Sequence, residues 1–117
     1  MKKTIIAALS GLFLMSCVST NNLYYWGNYQ ERTYDYAKNG TDQSLSDLMT
    51  TYQTLMDKQT GSRKTVPPGI CADYGYVLYK QGKKEEGLAL LEKEIALYPE
   101  SAVFVSRIIK NLKNNKK

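Results

Sequence analysis

The chain has 117 residues, with 16 lysines and arginines against 11 acids and no histidine. That length holds one small domain with a modest core, and the missing imidazole excludes His-based triads, His general bases and His metal ligands. Setting aside Lys2 and Lys3 leaves 14 basic residues against 11 acids, a charge near +3 that is too mild to point to nucleic acid.

Residues 1–16 read as a leader, with Lys2 and Lys3 as the positive start and an apolar run from Ile5 to Phe13. That run is too short to cross a bilayer, which takes about 20 residues. Leu14-Met15-Ser16-Cys17 resembles the lipobox of bacterial lipoproteins: a branched apolar residue, a tolerated middle residue, a small one, then Cys. The resemblance implies cleavage before Cys17, a diacylglycerol on its sulfur and an acyl chain, such as palmitate, on its nitrogen. The competing reading is an ordinary secretory leader with an incidental Cys. One acyl chain holds a protein only marginally, at about 0.8 kcal/mol per buried methylene, and further chains make the anchor stable. Val18 stands where an Asp would favour the inner membrane, so the expected location is the outer membrane, with the domain facing the periplasm. Residues 17–22 then form a short lipidated tether.

A single domain is expected over 23–117. Its opening is rich in rings: Tyr24, Tyr25, Trp26, Tyr29, Tyr34 and Tyr36. Helical spacing places Tyr25, Tyr29 and Tyr36 on one face with Trp26, Thr33 and Ala37 beside it, and Gly40 ends the segment. Asp42 or Ser44 can cap the next helix, and Ser44 to Asp47 has capping-box spacing. That helix carries Leu45, Leu48, Met49, Tyr52, Leu55 and Met56 on one stripe, so residues 23–58 read as a first helical hairpin. Residues 59–66, QTGSRKTV, form a polar linker without periodicity and the easiest point for a proteolytic nick.

A second hairpin spans 67–99. Ile70, Cys71, Tyr74, Val77 and Leu78 make one apolar stripe, with Pro67 and Pro68 at the start and Gly82 at the stop. Leu88, Leu91, Ile95 and Tyr98 line the buried face of the next helix, and Pro99 ends it. The punctuation resembles a tetratricopeptide repeat, a helix–turn–helix of about 34 residues. Gly75, Leu78, Gly82, Gly87, Leu91 and Pro99 fill its positions, while Cys71 at the usual Trp and Glu94 at the usual second Ala depart from it. At Gly87, a side chain longer than a methyl is expected to hold the paired helices apart. A capping helix over 100–114 buries Val105, Ile108, Ile109 and Leu112. Its cations Arg107, Lys110 and Lys113 suit either a solvated helix end, where the dipole favours positive charge, or a basic patch for anionic lipid or an acidic partner. The fold expected is all-α, with tetratricopeptide-like hairpins and about five helices.

Nothing in this pattern supplies catalysis. Cys71 would lack an imidazole base, no carboxylate pair suggests a cleft dyad, and no glycine-rich loop follows a strand, so no enzyme, cofactor or metal is expected. Cys71 reads as a small buried hydrophobe or as a thiol open to a partner.

Tyr24-Tyr25-Trp26-Gly27-Asn28-Tyr29, Pro67-Pro68-Gly69, Ala72-Asp73-Tyr74-Gly75 and Tyr98-Pro99-Glu100-Ser101 together resemble a family of small bacterial lipoproteins catalogued as a domain of unknown function, the 4810 type. The resemblance implies an envelope lipoprotein, encoded beside a lipoprotein similar to the curli-type export pore and beside another small lipoprotein. Two functions follow as expectations. One is an accessory or scaffold subunit docking on another outer-membrane lipoprotein, with Tyr25, Trp26 and Tyr29 either as its anchor or as packing between the hairpins. The other is a stand-alone periplasmic module for peptide or cell wall, or a regulator of an envelope hydrolase. No nucleic-acid partner is expected.

Overall fold

A computed structural model describes residues 22–115. The expected leader, the lipidation site Cys17 and the tether up to residue 21 lie outside the described residues. Among the described residues there are five α-helices and no strand: α1 (Tyr29–Asn39), α2 (Asp42–Asp57), α3 (Ile70–Lys80), α4 (Lys84–Leu97) and α5 (Ala102–Asn114), with a 3-10 turn at Pro99–Ser101. They form two antiparallel hairpins, α1–α2 and α3–α4, followed by a cap.

Local chemistry sets the boundaries. Gly40 takes a left-handed φ of 57° and returns its N–H to the Tyr36 carbonyl, closing α1. The cap of α2 is Thr41, one residue before Asp42 and three before Ser44, the two expected positions. Its hydroxyl accepts from the Ser44 N–H while the Ser44 hydroxyl accepts from the Thr41 N–H, a reciprocal box built with Ser instead of Glu. Gly82, at φ 91°, lets the Lys83 N–H reach back to the Leu78 carbonyl at 3.0 Å, which ends α3. At the far end, Pro99 initiates the 3-10 turn, so the cap begins as a regular helix only at Ala102.

The core has two parts, and α3 belongs to both. Ile70 and Cys71 join Leu48, Tyr52 and Leu55 of α2 and Val66. Ala72 and Tyr79, on the other side of α3, join Leu91 of α4 and Val105 and Leu112 of α5. The single stripe expected for α3 is therefore incomplete: the helix is sandwiched between the first hairpin and the cap, and Tyr79 also donates its hydroxyl to the Leu112 carbonyl at 3.0 Å. On α5, Val105 and Leu112 are buried and Ile108 and Ile109 half-buried, while Val103 and Phe104 face solvent.

Two small residues bring α3 and α4 into backbone contact. A Cβ added at Gly87 would stand 2.5 Å from the Gly75 carbonyl oxygen, and one added at Gly75 would stand 2.6 Å from that of Gly87. Not even a methyl fits, a tighter limit than the sequence suggested. Glu94 sits at a position where the repeat pattern has Ala, and it is 2% exposed. Its Oε1 accepts from the Gly69 N–H at 2.6 Å, so α4 caps the start of α3 across the hairpin. Its Oε2 is buried without a hydrogen-bond partner.

The segment 59–66 is tied down. Ser62 and Arg63 donate their N–H groups to the carbonyls of Asn22 and Leu23 at 3.1 and 3.0 Å. Val66 is buried, and its carbonyl accepts from the Tyr98 hydroxyl at 2.6 Å. Beside that hydroxyl lies Tyr24. This bonding gives the expected linker a fixed path between the two hairpins.

Candidate functional site

The aromatic opening is a turn that feeds α1. Gly27 adopts φ 50°, a conformation that glycine takes without strain, and the Tyr29 N–H bonds the Trp26 carbonyl at 3.1 Å. Asn28 is pinned to α2, its Oδ1 accepting from the Thr51 hydroxyl at 3.1 Å. Because α1 begins only at Tyr29, Tyr25 does not share a helical face with Tyr29 and Tyr36. All three nevertheless pack against the same core, Tyr25 from the incoming strand of chain.

From this turn a row of rings crosses the protein. Trp26 and Tyr29 lie 5.8 Å apart between centroids, Tyr29 and Tyr52 6.0 Å, and Tyr52 and Tyr74 5.1 Å in a stacked pair. The row links α1 through α2 to α3, and such pairs each add about 0.5–1.5 kcal/mol beyond burial. Tyr29 fixes the register by donating its hydroxyl to the Asp73 carboxylate on α3. Burial, reinforced by that carboxylate, pushes the Tyr29 hydroxyl up to about 12. Burial also raises Tyr52. Both rings stay neutral at physiological pH and act as structural members.

The expected anchor of Tyr25, Trp26 and Tyr29 therefore divides. Tyr25 and Tyr29 are half-buried, and the Lys58 ammonium covers the Tyr25 ring at 4.9 Å. Trp26 is 43% exposed and is joined on the outer face of α1 by Tyr34, 63% exposed. The two flank a groove of about 560 Å³ whose remaining wall is Gly27, Tyr29, Gln30, Thr33 and Ala37. Tyr34 was not among the expected anchors. Its signal was present: counting from Tyr29 and Tyr36 on the core side of α1, Tyr34 falls on the opposite face.

The groove is lined mainly by rings and small side chains. Its polar groups are a side-chain amide and hydroxyls, and no group of three or more Cys, Asp or Glu side chains able to hold a metal occurs among the described residues. Cys71 lies far inside, fully buried, with Sγ 3.8 Å from Met56 Sδ. Burial, with a smaller contribution from the Glu94 charge, pushes its thiol up to about 11, so it is a packed thiol and a poor nucleophile at neutral pH. Arg107, Lys110 and Lys113 are all exposed along α5 and are not gathered with the groove residues.

The family described as a domain of unknown function (DUF4810) matches residues 23–108, from the aromatic opening through both hairpins and into α5. No curated protein and no solved structure matches the chain. The matched span covers the groove, the row of rings and the Gly75–Gly87 contact, and the chain belongs to this family of unknown function.

Proposed function

We propose that this protein is a lipid-anchored accessory subunit of the outer membrane, held by Cys17 and facing the periplasm. In this reading it docks on another envelope lipoprotein, such as a subunit of a curli-type export-pore-like complex. The observation that carries the proposal is the pairing of Trp26 and Tyr34, two exposed rings on a face held rigid from behind by Tyr29, Tyr52 and Tyr74. Large exposed rings with a fixed backing are what interface hot spots are made of. A helical-hairpin fold that presents a groove suits a scaffold.

The test is a pull-down of the tagged full chain from detergent-solubilised membranes. Stoichiometric recovery of a pore-like lipoprotein, lost in Trp26→Ala and Tyr34→Ala, is the expected result. Removing a hot-spot ring costs at least about 2 kcal/mol, roughly thirtyfold in affinity. A second reading draws on the groove's size, which lies within the range of small-ligand sites: a stand-alone module for a peptide or cell-wall fragment. Saturable binding of such a ligand by the purified chain, with no lipoprotein recovered from membranes, selects it.

A further inference from the structure

We infer that the turn Gly61–Lys64, together with Leu23, is a membrane-facing surface that takes the anionic phosphate headgroups of a bilayer; this rests on reading Cys17 as the lipid anchor. The turn looks like linker in the sequence, yet it is built. Gly61 lies so close to the incoming chain that an added Cβ would meet the Leu23 carbonyl oxygen and Tyr24 Cα, both at 2.5 Å. The Lys64 N–H closes the turn on the Gly61 carbonyl at 2.9 Å. Lys64 does this at φ 50°, the one non-glycine residue at positive φ among the described residues. Glycine or asparagine would hold that conformation with less strain, so the lysine side chain is displayed at a conformational cost.

What the turn displays is cationic and apolar. Arg63 and Lys64 are exposed, as is Lys58, and no ion pair among the described residues involves them. Leu23, bonded to Arg63 through its carbonyl, is 53% exposed. Apolar side chains ringed by Lys and Arg are the chemistry of a surface resting on anionic lipid. Each such cation shifts binding to an anionic surface about fivefold.

Chain length supplies the proximity. Five peptide steps separate Cys17 from Asn22, at most about 18 Å when fully extended. An acylated Cys17 therefore keeps the turn beside the headgroups, and a surface too weak to bind alone becomes effective through its high local concentration. Trp26 and Gly27 of the groove also line the cleft beside Gly61 and Ser62, whereas Tyr34 lies further along α1 and lines the groove but not that cleft.

The chain beginning at Cys17 is coupled through that thiol to maleimide lipid in vesicles with brominated acyl chains, with or without phosphatidylglycerol. Cys71, 0% exposed, does not compete. In a Trp26→Phe background, Leu23→Trp reports on the turn and Tyr34→Trp on the groove. Bromolipid is expected to quench Leu23→Trp and spare Tyr34→Trp. That quenching is lost without phosphatidylglycerol, and it is lost in Arg63→Gln/Lys64→Gly, whose fold is checked by circular dichroism. Equal quenching at both positions, none at Leu23→Trp, or quenching indifferent to anionic lipid overturns the proposal. So does loss on neutralising Arg107, Lys110 and Lys113 in place of the turn. Because the coupling is chemical, the quenching decides on the surface by itself, while palmitate incorporation in cells separately decides on the anchor.

Discussion

Gly87→Ala separates two forces of opposite sign. Taken alone, helix preference favours Ala over Gly inside α4 by about 1 kcal/mol. Packing opposes it, because the new Cβ would stand 2.5 Å from the Gly75 carbonyl oxygen and 2.8 Å from the Tyr79 nitrogen. Both obstacles are backbone, so no side chain can swing aside, and α4 must retreat from α3 by roughly 1 Å. A gap of that size forfeits a quarter to a half of each dispersion contact along the seam. Overpacking of this kind costs about 1–3 kcal/mol, and the rigid obstacle places Gly87→Ala at the upper end, leaving a net loss of about 2 kcal/mol after the helix preference is subtracted. For a domain of this size each kcal/mol moves Tm by about 4–8 °C, so the expected fall is about 8–16 °C. Far-UV circular dichroism melts read it directly. Ala89→Gly, at an exposed site on the same helix, calibrates propensity and should lose about 1 kcal/mol. Should Gly87→Ala melt higher than the parent, the α3–α4 contact described here is wrong.

Three more outcomes are expected. Gly61→Ala should push Leu23 and Tyr24 off the turn, and limited trypsin should then cut at Arg63 or Lys64 much faster than in the parent; unchanged cleavage removes the clamp from consideration. Cys71 should ignore a thiol reagent at pH 8 until denaturant opens the core, and prompt labelling of the folded chain contradicts its burial. Alkali should also destabilise the fold: Tyr29, raised from 10.0 to about 12, and Cys71, raised from 9.0 to about 11, are held neutral in the folded state. Their contribution is complete below the ordinary values and is lost as pH climbs through the raised ones, so urea melts should weaken between pH 9 and about 12. Tyr29→Phe should flatten the upper part of that profile.

Side-chain period carried most of the architecture. The stripe from Leu45 to Met56 lies within α2, and the stops at Gly40 and Gly82 and the break at Pro99 lie where helices end. Period failed where a helix has two partners: Ala72 and Tyr79 fall outside the α3 stripe because they serve the cap and not the first hairpin. It was silent on residues 59–66, whose order comes from backbone N–H groups bonded to Asn22 and Leu23, and main-chain bonding leaves no hydropathy trace. At the candidate site, ring content drew attention to the turn at Trp26-Gly27, which the structure places beside a groove. Placing Tyr25 on one helical face with Tyr29 and Tyr36 came from running the helical period back past the left-handed Gly27, before α1 begins at Tyr29.

The row of rings makes the groove and the second hairpin one mechanical unit. Trp26 rests on Tyr29, Tyr29 is fixed by the Asp73 carboxylate and by Tyr52, and Tyr52 stacks on Tyr74. Two of these supports, Asp73 and Tyr74, stand on α3, whose start is capped by Glu94 from α4 and whose other side leans on α5. A change in the second hairpin therefore reaches the exposed tryptophan through side chains in direct contact, without passing through the 59–66 turn. The turn, by contrast, is held by backbone bonds to Asn22 and Leu23 and by the close approach at Gly61. Damage to α3 should thus disturb docking before it disturbs the turn, whereas damage at Gly61 should free the turn while Trp26 stays seated. The groove is thus backed by rings on α1, α2 and α3, and the turn by main-chain bonds to the incoming chain, with Tyr98 holding Val66 just beyond it.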